Sequence, residues 1–388
     1  MKRIALSTLA LAMLAATSTV HAQSSVTLYG IIDAGVAYTH NNASAAGNAA
    51  SKIGFNGSGN MSGDRWGLKG SEDLGGGLKT VFQLESGFDV GSGKLNQGGR
   101  EFGRQAFVGL STAASGTVTL GRQYDPVVDM IQPLTEDNYF GSIFGTPGDV
   151  DNYDDNFRVS NAVKYVSPNF NGFQVEGLYA MGGVAGQTTA GQSYSLAASY
   201  TNGGLGLAAG YFYTKTSSNT LFASTADTND GDTAVNAAFA DGAQSLGIGR
   251  VAGQYAFGAI TVGGSYSNVK YRPLTNMGLF ASAETFNSGS AYANYQLNPA
   301  TLLGLGYTYM KSSGVTSASY NQLSVGSDYN LSKRTDLYAV LAYQKANGDA
   351  LNAAGTAVVN ANASIGSFGS PSGNGTQELV MMGIRHKF

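Results

Sequence analysis

The sequence contains no cysteine, and in 388 residues it has only seven prolines and one tryptophan. Without cysteine, a disulfide framework and a thiolate metal site are both excluded. Charged residues make up 12% of the chain, about half the usual share of a soluble domain. The net charge of −3 offers no basic surplus, so we expect no nucleic-acid partner.

Long apolar runs are also missing, except at the N-terminus. There Lys2 and Arg3 precede an apolar stretch that extends to about Ala16, and small residues before Gln23 suit a cleavage site. We therefore expect residues 1–22 to be a secretory signal peptide and residues 23–388 to form a single domain. No later run approaches the ~20 apolar residues of a membrane-spanning helix.

What the chain has in abundance is alternation with a period of two, which is typical of β-strands. In "TLLGLGYTYM", Leu303, Leu305, Tyr307 and Tyr309 share one face, and small or polar residues share the other. The same pattern occurs in "SSVTLYGIIDAGVAYTH", "QSYSLAASYT" and "NQLSVGSDYNL". The polar faces lack the long charged side chains of a solvated sheet surface. They could line water while the apolar faces meet lipid, with tyrosines near the headgroups.

The connections between these strands alternate in length. Short turns occur at 75–77, 113–116, 169–172, 202–204, 257–259, 298–300 and 332–334. Long Gly/Ser/Asn/Asp-rich stretches occur at 40–60, 90–99, 125–159, 183–192, 217–244, 273–285, 312–319 and 348–375. Fifteen connections imply sixteen strands, and short turns at one rim with long loops at the other indicate a transmembrane antiparallel β-barrel.

The end of the chain fits this architecture. The last residues, "ELVMMGIRHKF", alternate up to the final Phe388. An even number of strands places both termini at one rim, so that residues 26–39 can pair with residues 378–388. This pairing would close the sheet and leave no strand edge in the membrane.

Several stretches resemble the general, non-specific porins of Gram-negative outer membranes. They include "RWGLKGSEDLGGGLKTVFQLE", "GRQAFVGL", "GTVTLGRQYDP", "NAVKYVSPNFNG" and the terminal Phe388, and the resemblance covers essentially all of residues 23–388. It implies a homotrimer in the outer membrane, with lipid and lipopolysaccharide around it and the third long loop folded into each lumen. It also implies passive diffusion of ions and small hydrophilic solutes, and that Phe388 belongs to the signal read by the outer-membrane assembly machinery.

Strand parity predicts a basic wall inside the barrel. If Trp66 and Leu68 point outward, then Arg65 and Lys69 point inward. If Phe107 points outward, then Arg104, Ala106 and Val108 point inward. The full predicted wall is Arg65, Lys69, Arg104, Arg122 and Lys164, because charged side chains are costly against lipid. By resemblance, Arg65, Arg104 and Lys164 match the basic cluster of the family.

The third long loop is acidic and would face this wall. Its predicted constriction residues are Glu136, Asp137, Asp149 and Asp151, with Asp149 and Asp151 as the chosen partners of the bases. Asp154 and Asp155, together with Arg122, are predicted to anchor the loop. Opposed charges would create a transverse field that sets ion preference. Two alternatives stay open, namely that the acids solvate an external loop and that the bases form structural salt bridges.

Other functions fit the sequence less well. A substrate-specific channel for a sugar or other nutrient would need an aromatic track, and inward aromatics such as Tyr29, Phe212 and Tyr292 are scattered. His40 and His386 do not suggest a catalytic pair, so we expect no enzyme, no cofactor and no metal site. A soluble all-β binder stays possible from hydropathy alone.

Overall fold

The computed structural model describes residues 24–216, 226–227, 235–240, 242–274 and 278–388. Its strands, in chain order, are β1 Ser25–Ala43, β2 Ala49–Asn56, β3 Arg65–Gly75, β4 Leu78–Gly87, β5 Gln105–Thr112, β6 Gly116–Gln123, β7 Arg158–Val166, β8 Phe173–Ala180, β9 Ser193–Asn202, β10 Leu205–Lys215, β11 Ala226–Asp227, β12 Ala243–Phe257, β13 Ile260–Pro273, β14 Glu284–Asn298, β15 Thr301–Ser313, β16 Ser319–Asn330, β17 Thr335–Asn347, β18 Asp349–Leu351, β19 Val358–Asn360 and β20 Thr376–Lys387. Short helices are α1 Pro126–Ile131, α2 Asp137–Phe140 and α3 Ala237–Ala240. The predicted signal peptide lies outside the described residues and stays a prediction.

These strands form a closed antiparallel barrel of sixteen, as predicted. β2 and β3 are two halves of one barrel strand, which is interrupted at residues 57–64, and both halves pair with β1. β11, β18 and β19 belong to long loops. No helix among the described residues is long and apolar enough to cross a membrane.

The two ends of the chain close the barrel. β1 pairs with β20 from Ile31 opposite Lys387 to His40 opposite Glu378. Phe388 then exchanges two backbone hydrogen bonds with Gly30, at 3.0 and 3.1 Å. A Cβ on Gly30 would lie 2.2 Å from the Phe388 ring, so this glycine makes room for the terminal aromatic side chain. The predicted pairing of first and last strands is confirmed.

Alternation separates the two faces of the wall. In β15, Leu305 and Tyr307 are half exposed on the outer surface, whereas Thr308 and Met310 are buried on the inner one. All seven predicted short turns join adjacent strands. The first long connection differs from the prediction, because β1 and β2 continue through most of residues 40–56 and the irregular segment is 57–64. We call residues 57–64 the bend.

The parity predicted for β5 is wrong. Val108 and Leu110 are about half exposed on the outer face, so Phe107 points inward. Apolar residues occupy both faces of this strand, and alternation therefore could not fix its orientation. Arg104 still reaches the interior, because β5 begins one residue later, at Gln105, and the strand count does not apply to it.

Candidate functional site

The connection between β6 and β7, residues 124–157, packs against the inner wall of the barrel, and we call it loop 3. It enters through α1, whose first turn is capped by Asp125, which accepts a hydrogen bond from the Val127 backbone N–H at 2.8 Å. Asp125 also accepts one from Ser195 on β9 at 3.3 Å. α1 presents Val127 and Ile131 to a buried cluster that includes Phe212 of β10. Burial of this apolar face holds the start of loop 3 on the wall.

The tip of loop 3 is seated on glycines of the opposite wall. Phe140 is fully buried and stacks on Phe144, with ring centroids 5.1 Å apart. A Cβ would lie 2.1 Å from the Phe140 ring at Gly304 and 2.3 Å from it at Gly326. Any side chain at these positions of β15 and β16 would displace the tip.

The bend clasps this tip from one side. Ser142 donates from its backbone N–H to the Asn60 carbonyl at 3.0 Å, and the Ser142 hydroxyl contacts the Asn60 amide oxygen at 3.0 Å. The bend is held by Asp33 of β1, which accepts hydrogen bonds from the backbone of Ser62 at 2.9 Å and from the Tyr338 hydroxyl at 2.7 Å. A carboxylate on β1 thus positions the segment against which loop 3 rests.

The last long loop, residues 348–375, holds loop 3 from the other side, and we call it loop 8. Gly148 donates to the Gly366 carbonyl at 2.8 Å, and Ser367 donates to the Ser142 carbonyl at 3.0 Å. The Ser367 hydroxyl donates to the Asp154 carboxylate. This second inward loop is not evident from the sequence, because its composition is that of an ordinary exposed loop.

Two arginines converge on one tyrosine where loop 3 meets the wall. Arg104 and Arg158 each donate to the Tyr124 hydroxyl at 2.6 Å. Asp155 lies 3.2 Å from Arg158 and 3.7 Å from Arg104, and Glu85 of β4 accepts from Arg104 at 2.8 Å. The guanidinium groups are therefore fixed in place rather than free to swing.

These arginines border a cavity of about 570 Å³ between the wall, the bend and loop 3. Three arginines line it, namely Arg65, Arg104 and Arg158. Five aspartates line it as well, namely Asp64, Asp129, Asp137, Asp154 and Asp155. We call this space the central cavity.

Burial favours the neutral form of three of these aspartates. It raises the pKa of Asp137 to about 7, although the carboxylate accepts hydrogen bonds from Thr135 and Gln132. Burial likewise raises the pKa of Asp64 to about 7 and that of Asp154 well above its ordinary range. Arginine keeps its charge throughout this range. Near neutral pH the fixed charge around the central cavity is therefore more positive than a count of residues suggests.

The other predicted wall bases lie elsewhere. Lys164 is paired with Asp129 at 2.5 Å and Glu176 at 2.9 Å, and it donates to the Tyr124 carbonyl at 3.2 Å. Lys69 lies 5.0 Å from the centre of the Tyr29 ring. Both lysines line a second cavity of about 500 Å³, which Phe107 also lines. Lys164 thus fastens α1 to the wall, as the salt-bridge alternative anticipated.

Arg122 does not line the central cavity. It is buried, and it lies where the register shifts between Gly121 and Gln123. It donates to the Gly103 carbonyl at 2.7 Å and to the Ser160 hydroxyl at 2.8 Å. Polar neighbours at the strand end therefore satisfy this base.

Three of the four predicted constriction acids do not line the central cavity. Asp151 accepts from the Ser267 hydroxyl on β13 at 2.5 Å, and Asp149 accepts from the Asp154 backbone at 2.9 Å. Glu136 accepts from Asn294 of β14 at 3.2 Å, and burial raises its pKa to about 9. Asp151 and Glu136 thus bond to the wall, and Asp149 bonds within loop 3. Asp137 alone of the predicted set lines the cavity. The predicted anchors Asp154 and Asp155 both line it.

Two arginines were missed. Arg158, which is absent from the predicted wall, begins β7 beside Tyr124. Arg250 on β12 donates to the Asn152 carbonyl at 3.2 Å and lies 4.8 Å from the centre of the Tyr153 ring. A signal was present in "LGIGRVAG", because a charged residue within the apolar part of a membrane strand is costly on the lipid face and is therefore expected to point inward.

Comparison with known proteins agrees with this architecture. The family described as Gram-negative porin matches residues 8–349. An outer membrane porin protein of Bordetella pertussis is 31% identical, over 84% of this chain and 90% of that protein. Outer membrane porin protein 32 of Delftia acidovorans is 31% identical over 98% of this chain and 99% of its own length.

Solved structures give the same answer. The structure of the anion-selective porin from Comamonas acidovorans superimposes with a TM-score of 0.71 at 26% identity, covering 94% of this chain and all of that one. A trimeric form of OmpT from Vibrio cholerae, at 18% identity and a TM-score of 0.63, shares the fold. The chain therefore belongs to the Gram-negative porin family and is an outer-membrane porin, a β-barrel channel for small hydrophilic solutes.

Proposed function

We propose that the central cavity is the constriction of this porin and that it favours anions. The observation that carries the proposal is the group of three arginines, Arg65, Arg104 and Arg158, that line the cavity. Burial raises the pKa of Asp137, one of the aspartates that line the same cavity, and so favours its neutral form. A ring of fixed positive charge lowers the energy of a passing anion and raises that of a cation. The likeness to a porin described as anion-selective supports the same direction.

The experiment is a reversal-potential measurement in a planar bilayer that separates two concentrations of potassium chloride. We expect ohmic conductance steps and a reversal potential displaced from zero toward the equilibrium potential of chloride. A reversal potential displaced toward the equilibrium potential of potassium would refute the anion preference. Saturable block of conductance by one sugar at low concentration would instead favour the alternative of a substrate-specific channel.

The proposal includes the setting of the channel. The barrel forms a homotrimer, contacts outer-membrane lipid and lipopolysaccharide, and is exported through the cleaved peptide of residues 1–22. Phe388, whose backbone is fixed to Gly30, is the end that the assembly machinery reads. The chain acts as a channel and not as an enzyme. Crosslinking of purified protein should give a trimeric ladder, and N-terminal sequencing should begin at Gln23.

A further inference from the structure

Four lysines stand on the outer surface of the barrel, close to the rim of the long loops. They are Lys215, Lys270, Lys311 and Lys345, and we call them the lysine row. Each shares a strand face with outward apolar residues, as Lys311 does with Leu305 and Lys345 does with Leu341. Alternation therefore turns all four toward the surroundings of the barrel and away from its lumen.

Strand register places the four at one level. They occupy successive strands that run toward the long-loop rim, namely β10, β13, β15 and β17. Across the intervening strand, Lys345 is in register with Tyr309, and Lys311 with Asn268. Lys311 lies two residues beyond Tyr309 on β15, and Lys270 lies two residues beyond Asn268 on β13. A constant offset of this kind is what strand tilt requires of residues at equal height in a barrel.

The row lies just beyond the apolar band. Tyr213, Tyr309 and Tyr343 precede Lys215, Lys311 and Lys345 by two residues and so share their face. Between them, outward asparagines accept hydrogen bonds from tyrosine hydroxyls, as Asn321 does from Tyr307 and Asn287 from Tyr266, at 2.8 and 2.7 Å. Tyrosine hydroxyls bound to amides mark the headgroup level of a barrel wall.

No acid in the described part of the chain forms an ion pair with the row. Within the described residues, no member of the lysine row forms an ion pair, and the outward positions of β10 and β12 to β17 hold no aspartate or glutamate. Arg272 adds a fifth base two residues beyond Lys270 on the same face. In contrast, His40 of β1 and Glu378 of β20 also point outward, and they contact each other, with Nδ1 of His40 2.7 Å from the Glu378 carboxylate.

We propose that the lysine row, with Arg272, binds the phosphate-bearing headgroups of lipid in the outer leaflet. This rests on the outer-membrane setting proposed above and names the wall where that contact occurs. Ammonium groups at headgroup height attract anionic phosphates, while the leucines and tyrosines below them contact acyl chains. Strands are about 4.8 Å apart, so alternate strands space the charges about 10 Å apart, suited to a broad lipid headgroup.

The test compares purified wild type with the variant Lys215→Gln/Lys270→Gln/Lys311→Gln/Lys345→Gln. Each is equilibrated with micelles containing lipopolysaccharide, and the retained glycolipid is counted by native mass spectrometry across a salt series. We expect retention to fall by more than about tenfold in the variant, since each cation near an anionic lipid surface contributes about a fivefold effect. Lipopolysaccharide stripped of phosphate should bind wild type no better than the variant.

Two controls keep the outcome interpretable. The variant Lys79→Gln/Lys94→Gln/Lys333→Gln/Arg334→Gln removes four exposed charges outside the row and should retain glycolipid like wild type. The four-lysine variant should also keep the wild-type conductance, so a loss of channel activity would be traced separately from a loss of lipid. If glutamine substitution prevents assembly, the four single variants are compared instead. Equal retention by the row variant and wild type, or equal binding of dephosphorylated lipid, would overturn the proposal.

Discussion

The bases inside the barrel and those outside it differ in both type and environment. Inside, Arg104, Arg158 and Arg250 are no more than 4% exposed, and each donates to a tyrosine, a carboxylate or a carbonyl. Outside, the lysine row is at least partly exposed and has no ion pair within the described residues. A planar guanidinium can be fixed by several protein partners at once, whereas an ammonium group on a flexible side chain can adapt to a mobile partner such as a lipid headgroup. The difference teaches that position relative to the wall decides whether a charge acts on solutes or on lipid.

The largest expected effect comes from the inner arginines. Arg104→Gln/Arg158→Gln should lower the chloride-to-potassium permeability ratio by about tenfold, because each lost charge acts on a passing ion with about 1 kcal/mol even in water. Reversal potentials measure this ratio. The matched control Arg104→Lys/Arg158→Lys keeps both charges and should keep the sign of selectivity. If the glutamine variant were as anion-selective as wild type, the inner cluster would not be the selectivity element.

The second effect concerns the clasp on loop 3. Gly141 has a φ of +73°, and a Cβ there would lie 1.7 Å from the Asn60 carbonyl oxygen. Gly141→Ala should therefore strain the contact by roughly 1–3 kcal/mol and release the tip from the bend. We expect noisier single-channel currents and a changed conductance. Gly289→Ala is the control, because its Cβ would meet open space, and quiet currents from both variants would contradict the clasp.

A smaller effect is expected from pH. Because the pKa values of Asp137 and Asp64 are raised to about 7, both carboxyls are mostly neutral at about pH 6 and mostly ionised at about pH 9. Raising the pH therefore adds negative charge to the central cavity, and the anion preference should fall by about two- to fivefold. Asp137→Asn should flatten this profile. A preference that rises with pH would show that other groups control the cavity.

The smallest effect sharpens the contrast between inside and outside. Lys311→Gln/Lys345→Gln should leave the reversal potential unchanged, because both ammonium groups lie on the outer face and solvent screens them from the lumen within about 10 Å. The same bilayer recordings supply the measurement. A shift as large as that of the arginine variant would mean that outer charges also set selectivity.

The barrel could be predicted from the sequence, but much of the constriction could not. Alternation and turn spacing locate the strands because each residue of a strand must face lipid or lumen, and both ends of the chain follow from closure. Alternation fails to predict side-chain orientation where the two faces of a strand do not differ in polarity or where the strand register shifts. In β5 apolar residues occupy both faces, so Phe107 was turned the wrong way. At the end of β6 a register shift interrupts the alternation, and Arg122 is buried against Gly103 and Ser160 instead of lining the cavity.

Loop 3 shows the limit most clearly. Asp149, Asp151 and Asp154 lie within six residues of each other, yet Asp149 bonds within loop 3, Asp151 bonds to the wall and Asp154 lines the cavity. An irregular backbone has no periodic pattern that predicts the direction of its side chains. The partners that decide it, Ser267 on β13 and Ser367 of loop 8, are more than 100 residues away in sequence. Only tertiary contacts could assign these roles.

The central claim is that the arginine-lined cavity holds anions. Crystals soaked in rubidium bromide would test it directly, because both ions give anomalous scattering. The account predicts a bromide peak in the central cavity beside Arg65, Arg104 and Arg158, and no rubidium there. Rubidium in that position, with bromide absent from the cavity, would contradict it.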